Sequence, residues 1–370
     1  MRTPAYFLAL LLSVGGFAAE AVLAPFVQRE ELAGAVALVA NKEKVLSVTA
    51  VGFADIEAKK PMSPDAVFWI ASQSKGITAA AVMMLVDEGK LSLDDPVEKY
   101  LPEFKDQKVA AGKSAPVARA RSITIRDLLS HVSGLPFKSP EEQPTLDGLS
   151  LATAVKSYAK APLVTQPGAR YQYSNAGINA AARVLEVVSG LAYEDFMDKR
   201  LFGPLGMKDT TFWPNAEQVA RLAKTYKPDA SRKKLALGNL AQLQADLTDR
   251  AHRFPMPAGG LFSTAKDVSL FCRMLLNGGE LDGRRYLSLA SVQALSVRQT
   301  PKELKESYGL GFAVGADFFG HGGAQATGME IRTKDDLVLV WMVQHQGFPG
   351  KGGQAQGEFK KAAVKEFSGK

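Results

Sequence analysis

Strand-type runs stand at both ends of this chain and helical patterns fill its middle. That distribution constrains the fold more than any single motif. Near the start, Leu32–Ala40 is an unbroken apolar run, Asn41–Lys44 a polar turn and Val45–Gly52 a second run, which together predict a hairpin. Near the end, Tyr308–Val314, Gly328–Thr333 and Leu337–Val343 read as three strands, with Lys334–Asp336 as a tight turn and 357–367 as a closing helix. Between them lie helical patterns from Ser72 to a stop at Gly89, over Thr124–His131, over 148–160 and 177–202, and from a capping box at Thr264-Ala-Lys-Asp267 through Leu276. Residues 105–121 read as an exposed insertion and 215–250 as loops with short extended pieces. The expected class is α+β, with one antiparallel sheet built from both chain ends, flanked by helices, and an all-helical insertion lobe. A single catalytic domain is expected over 22–367, with an α/β lobe from 22–75 and 257–367 and a mainly helical lobe from 76–256.

Composition narrows the class of function. At 370 residues and 46% hydrophobic, the chain can bury a large core, which excludes disorder. A net charge of +7 without any nucleic-acid motif reads as a solvated basic surface. Cys272 is the only cysteine, so no disulfide forms within the chain. The histidines, His131, His252, His321 and His345, lack the spacing of a metal pair, and neither metal nor cofactor is expected. At the start, Arg2, the apolar run Tyr6–Phe17 and the small residues Ala18-Ala19-Glu20-Ala21 match a cleavable secretory signal over residues 1–21, cut after Ala19 or Ala21. The mature protein is therefore expected to be secreted or periplasmic, without a membrane span or a nucleic-acid partner.

The chemistry centres on Ser72-Gln-Ser-Lys75, where an apolar lead-in meets a long apolar helix. A serine and a lysine three residues apart share one helix face. The helix N-terminus offers free N–H groups to a developing oxyanion, and a buried lysine can accept the serine proton. S-x-x-K recurs at Ser157, Ser231 and Ser263, and a serine at a helix start is often only a cap. The nucleophile elbow G-x-S-x-G is absent, which argues against an α/β-hydrolase. Y-x-N occurs once, at Tyr173-Ser-Asn175; a tyrosinate or hydrogen-bonded tyrosine there could shuttle a proton, and the asparagine amide could hold a substrate carbonyl. Gly320-His321-Gly-Gly323-Ala324 lets a ligand approach the backbone closely, while the rival matches at His345 and Lys351 follow the last strand. His131 could act as a base, but a turn-bracing role is the stronger reading.

In that order, Ser72-x-x-Lys75, Tyr173-x-Asn175 and His321-x-Gly323 resemble the three signature motifs of the serine β-lactamase and penicillin-binding superfamily. The class C-like branch is the most similar: class C β-lactamases, D-Ala-D-Ala carboxypeptidases, D-aminopeptidases and family VIII β-lactamase-like esterases. Thr124–Pro136, Pro167-Gly168, Leu201–Met207 and Pro257–Leu261 extend the resemblance. It implies an α/β sandwich beside a helical lobe, with the site between. Ser72 would be the acylated nucleophile, Lys75 its proton partner, Tyr173 a general base or relay and Asn175 a substrate or Lys75 contact. His321 and Gly323 would line the sheet side, and the backbone N–H groups of Ser72 and Ala324 would form the oxyanion hole. Class C β-lactamases carry lysine where this chain has His321, which is mostly neutral at pH 7. The expected function is an exported serine hydrolase acting on carboxylic esters or D-amino-acid peptides and amides. The alternatives are a class C-type β-lactamase and a penicillin-binding protein without turnover. The implied partner is a small ester, peptide or β-lactam.

Overall fold

The computed structural model describes residues 19–368. The run Gly34–Ala40 forms β1 and is buried at every position. Period two sends Ala35, Ala37 and Val39 into one core, and Val36, Leu38 and Ala40 into another. The chain start also supplies β2 (Val45–Asp55) and β3 (Lys60–Pro61). The chain end supplies β4 (Ala313–Val314), β5 (Phe319–Gly322), β6 (Gly328–Arg332) and β7 (Leu337–Met342). They form one seven-stranded sheet in the order β4-β5-β6-β7-β1-β2-β3. Every neighbouring pair is antiparallel. The two chain ends join where β1 meets β7, with Val36 opposite Met342 and Leu38 opposite Val340.

Helices α1 (Ala19–Gln28) and α7 (Ala355–Phe367) cover one face. Leu23, Phe26 and Phe359 bury themselves there against Leu337, Leu339 and Trp341, and Trp341 stacks on Phe359 at 5.8 Å. Each such large side chain contributes roughly 1.5–3 kcal/mol by leaving water. The other face carries the larger core. It receives α2 (Ser74–Asp87), α3 (Ile125–Leu129), α4 (Leu151–Lys160), α5 (Asn175–Ser189) and α6 (Ala265–Leu276). α2 is buried from Ser74 through Leu85, so it runs through the core rather than along its surface. Gly89 and Gly190 stop α2 and α5 with φ of 68° and 70°, in the left-handed region that glycine tolerates. Cys272 packs in the buried face of α6, where burial pushes its thiol pKa up.

Several expected elements differ in detail. Tyr308–Phe312 is a loop rather than a strand: Gly311 takes φ of 73° and its N–H bonds the Leu129 carbonyl at 2.8 Å. Phe312 instead drops beside Gly76, where an added Cβ would lie 2.4 Å from the ring. Only Ala313–Val314 of the expected strand enters the sheet, as the edge strand β4, and β5, which carries His321, lies between it and β6. The pattern over 177–202 breaks at Gly190 into α5, a short helix at Tyr193–Met197 and a π turn at Asp198–Phe202. Thr124 makes a reciprocal capping box with Asp127. Thr264 makes half of one, because the Asp267 carboxylate bonds the Asp209 N–H and the Thr210 hydroxyl instead. Residues 105–121 are not wholly exposed. They include a small hairpin, Val109–Ala111 with Ser114–Val117, and Gln107 is buried against the carbonyls of Tyr158 and Ala161. Residues 215–250 add a short helix at Ala216–Arg221. Of the expected signal segment, residues 1–18 lie outside the described residues, and Ala19–Ala21 open α1. No helix among the described residues is long and apolar enough to cross a membrane.

Candidate active site

The Ser72 segment is aimed by strain and by sheet pairing. Phe68–Trp69 pairs with Phe262–Ser263, and the Trp69 indole donates to the Gly259 carbonyl at 2.7 Å. Ala71 then turns with φ of 45°, a conformation that costs an L-residue about 1–3 kcal/mol. Ser72 sits in a 3-10 turn, Ala71–Gln73, and α2 begins one residue later than the turn ends, at Ser74. The Ser74 hydroxyl ties the junction by donating to the Ala71 carbonyl at 2.6 Å.

Lys75 is fully buried beneath Ser72. Its Nζ lies 3.0 Å from Ser72 Oγ, 2.7 Å from Asn175 Oδ1 and 2.7 Å from the Ala258 carbonyl. These partners are all uncharged, and burial pushes the amine's pKa well below its usual value. A neutral amine has two N–H groups and one lone pair. Asn175 and Ala258 are acceptors, so in the neutral form they would take the two N–H groups and leave the lone pair facing Ser72 Oγ.

The second motif is held by a helix cap. Ser174 caps α5, accepting from the Gly177 N–H and donating to the Pro136 carbonyl at 2.6 Å. That fixes Asn175 as the first residue of α5, pointing at Lys75. Burial pushes the Tyr173 phenol up to about 12, with the nearby Ser72 hydroxyl pulling weakly the other way. Its ring lies 4.7 Å from Lys75 Nζ and packs on His131 at 4.6 Å. His131 braces this motif: its Nδ1 accepts from the Ser174 N–H at 3.2 Å, and its carbonyl accepts from the Gln172 N–H at 2.7 Å.

The third motif lines the sheet side through its backbone. An added Cβ on Gly323 would fall 2.5 Å from the Ile70 carbonyl oxygen, so only glycine fits there. A cavity of about 300 Å³ opens at Ser72 and is walled by Trp69, Phe137, Tyr173, Asn175, Gln242, Met256 and the Gly322-Gly323-Ala324 strand edge. The His321 ring borders a neighbouring cleft instead. Its Nδ1 donates to the Gly322 carbonyl at 2.6 Å and its Nε2 accepts from the Tyr308 hydroxyl at 3.0 Å. Burial pulls its pKa down to about 4, so the ring is neutral at pH 7.

The structure thus brings Ser72, Lys75, Tyr173, Asn175, Gly323 and Ala324 together at one cavity, while His321 lines an adjoining cleft with its ring 6.1 Å from that of Tyr173. Sequence reasoning missed the Ala258 carbonyl, Tyr308 and the walls formed by Trp69, Phe137, Gln242 and Met256. In the sequence, Pro257–Leu261 carries only the family resemblance, since a carbonyl contact leaves no side-chain signature. The rival serines are occupied elsewhere. Ser157 donates to the Ala154 carbonyl, Ser231 to Asp229, and Ser263 meets the Thr210 hydroxyl. The rival His345 is buried, accepting from the Ala33 N–H at 3.2 Å.

Burial holds the pKa values of His131 and His345 below the usual 6.5, the latter at about 4. The unfolded chain therefore binds more protons than the folded one as pH falls below 6.5. Their contribution to stability is complete above that pH and declines toward pH 4, by up to roughly 1.4 kcal/mol per histidine per pH unit. Calorimetric melts from pH 7.5 to pH 4.5 should show a falling Tm, and a flat profile would contradict these burials.

The Beta-lactamase family profile matches residues 19–360. Protein Rv1367c of Mycobacterium tuberculosis is 34% identical over 357 residues, spanning 85% of this chain and 86% of its own length. Esterase EstB of Burkholderia gladioli is 36% identical over 205 residues, spanning 52% of this chain and 50% of its own. The solved structure of EstCE1, described as a hydrolase with promiscuous acyltransferase activity, superposes with a TM-score of 0.78 at 24% identity, covering 94% of this chain and 97% of that one, a likeness of fold. With a family match running from α1 into α7, the chain belongs to the Beta-lactamase family, and its α+β fold agrees with that.

Proposed function

We propose that this protein is an exported serine esterase that hydrolyses neutral carboxylic esters through a Ser72 acyl-enzyme. The observation that carries the reading is the coordination of Lys75: two fixed acceptors at 2.7 Å and Ser72 Oγ at 3.0 Å, with no charged partner. Ser72 Oγ attacks the ester carbonyl carbon while its proton passes to Lys75 Nζ. Tyr173, protonated at neutral pH, acts as a relay rather than as a tyrosinate. The N–H groups of Ser72 and Ala324, both at the cavity, receive the oxyanion. As the tetrahedral intermediate collapses, the C–O bond to the alcohol breaks, and the proton held at Lys75 returns through Tyr173 to the alkoxide. Water then attacks the acyl carbon and gives its proton to the same amine; as the bond from the acyl carbon to Ser72 Oγ breaks, that proton passes back to Ser72 Oγ and the acid leaves.

The preference for esters rests on charge. The cavity wall includes no Lys, Arg, His, Asp or Glu side chain among the described residues, and its apolar part comes from Trp69, Phe137 and Met256. A β-lactam or a peptide ending in D-Ala brings a carboxylate that would need a cation, and His321 is neutral and lines the adjoining cleft. The similarity to Esterase EstB agrees with this choice. Export rests on the pattern of residues 1–21.

A short-chain nitrophenyl ester, nitrocefin and a D-Ala-D-Ala peptide should separate the readings. Hydrolysis of the ester alone, abolished in Ser72→Ala, is the expected result. Faster turnover of nitrocefin or the peptide than of the ester would reject the substrate class, and equal rates in Ser72→Ala would reject the mechanism.

A further inference from the structure

The Ala258 carbonyl holds one N–H of Lys75, and Ala258 is in turn held by a buried chain of side chains. Its own N–H donates to Asn179 Oδ1 at 3.0 Å. Asn179 Nδ2 donates to the Tyr158 hydroxyl at 3.0 Å, and that hydroxyl donates to Glu142 Oε1 at 2.7 Å. The other Glu142 oxygen, Oε2, accepts from the Ser139 N–H at 2.7 Å. Exposure is 1% for Glu142, 0% for Tyr158 and 2% for Asn179, so water does not substitute for these partners.

The chain has a direction. A carboxylate only accepts, so Tyr158 must give its proton toward Glu142 and expose its oxygen lone pair to Asn179. The Asn179 amide then has its NH2 toward Tyr158 and its oxygen toward Ala258. Reversing any link would set an NH2 against the Ala258 N–H. The preceding residue is pinned separately, by the Thr78 hydroxyl donating to the Pro257 carbonyl at 2.8 Å.

We propose that Glu142, Tyr158 and Asn179 are positioning residues for the hydrolytic reaction: the Glu142 carboxylate orders a one-way hydrogen-bond chain that presents the Ala258 carbonyl to Lys75 and so keeps the Lys75 lone pair on Ser72. This rests on the reading of Lys75 as the proton acceptor of Ser72. The titratable groups around Lys75 are Tyr173, His131 and His321, all neutral at pH 7. Those around Glu142 are Tyr158 and Lys138, whose Nζ donates to the Glu142 backbone carbonyl.

The test compares kcat/KM against pH, from pH 5 to pH 9, on nitrophenyl butyrate. Wild type, Tyr158→Phe, Glu142→Gln and the double variant Glu142→Gln/Asn179→Asp are assayed, with melting curves for each. Tyr158→Phe and Glu142→Gln nearly preserve volume. Each should lower kcat about ten- to a hundredfold with KM unchanged, because Lys75 is misplaced rather than lost. The acid limb should move up by about one pH unit as the loosened amine is less well desolvated. The double variant moves the negative charge along the chain without changing its sum. The new amide at position 142 donates to Tyr158, Tyr158 donates to the new carboxylate at 179, and that carboxylate still accepts from the Ala258 N–H. It should recover at least tenfold in kcat over Glu142→Gln. Loss that is uniform in pH, or a double variant no better than Glu142→Gln, overturns the proposal. A wild-type profile with no acid limb removes the Lys75 reading and this inference with it, whereas a wild-type limb that stays put in the variants removes this inference alone.

Discussion

Lys75→Ala is expected to slow acylation by about three orders of magnitude, the middle of the range for loss of a positioned proton acceptor. KM should change little, because Nζ lies under the cavity and not in its wall. The measurement is the rapid release of nitrophenol in a stopped-flow burst, which isolates acylation from deacylation. Loss of less than about tenfold would mean that Lys75 is not the group that takes the Ser72 proton. Stability should move the other way. A fully buried amine with three neutral partners is costly to the fold, so Lys75→Met, of similar length and apolar, should melt at or above wild type while being inactive. An inactive variant that is also strongly destabilised would show that the amine supports the fold and that the loss of activity is secondary.

Asp147→Ala should be the most destabilising single change outside the site, by about 3–5 kcal/mol. Arg253 is 2% exposed and its Nε donates to Asp147 Oδ2 at 2.7 Å. The other carboxylate oxygen accepts from the Gln244 N–H at 3.0 Å, and Arg253 reaches on to the carbonyls of Phe212 and Leu247. Removing the carboxylate leaves a guanidinium buried without its counter-charge. Beyond the energy, the pair clips the 137–147 loop to the 240–256 segment, which supplies Gln242 and Met256 to the cavity wall. Urea unfolding should show a lower midpoint at constant slope, and Asp147→Ala/Arg253→Met should regain much of the loss. A shift under about 1 kcal/mol would mean that solvent reaches Arg253.

Legibility in the sequence followed the range of the forces involved. β1 and β7 were readable because Val36, Leu38, Val338 and Val340 are apolar residues in short runs of strand length, and sheet period two does the rest. The helix stops at Gly89 and Gly190 were readable because positive φ selects glycine. Tyr308–Phe312 was misread for the same reason in reverse: its apolar spacing suits a strand, but Gly311 turns the chain and Phe312 is claimed by the space over Gly76. Within the site, Ser72, Lys75, Tyr173 and Asn175 were found through the order of short motifs. The orientation of the His321 ring was not readable, since a tyrosine hydroxyl from a separate loop holds it. The Ala258 carbonyl and the Asp147–Arg253 pair, 106 residues apart, depend on contacts that no local pattern encodes.

The central claim is that Ser72 carries the acyl group. Reacting the protein with a nitrophenyl ester, quenching in acid within milliseconds and mapping the digest by mass spectrometry tests it directly. The acyl mass should appear on the peptide containing Ser72 and vanish in Ser72→Ala. An adduct on a peptide containing Ser157, Ser231 or Ser263, or ester turnover with no adduct on any serine, would contradict it.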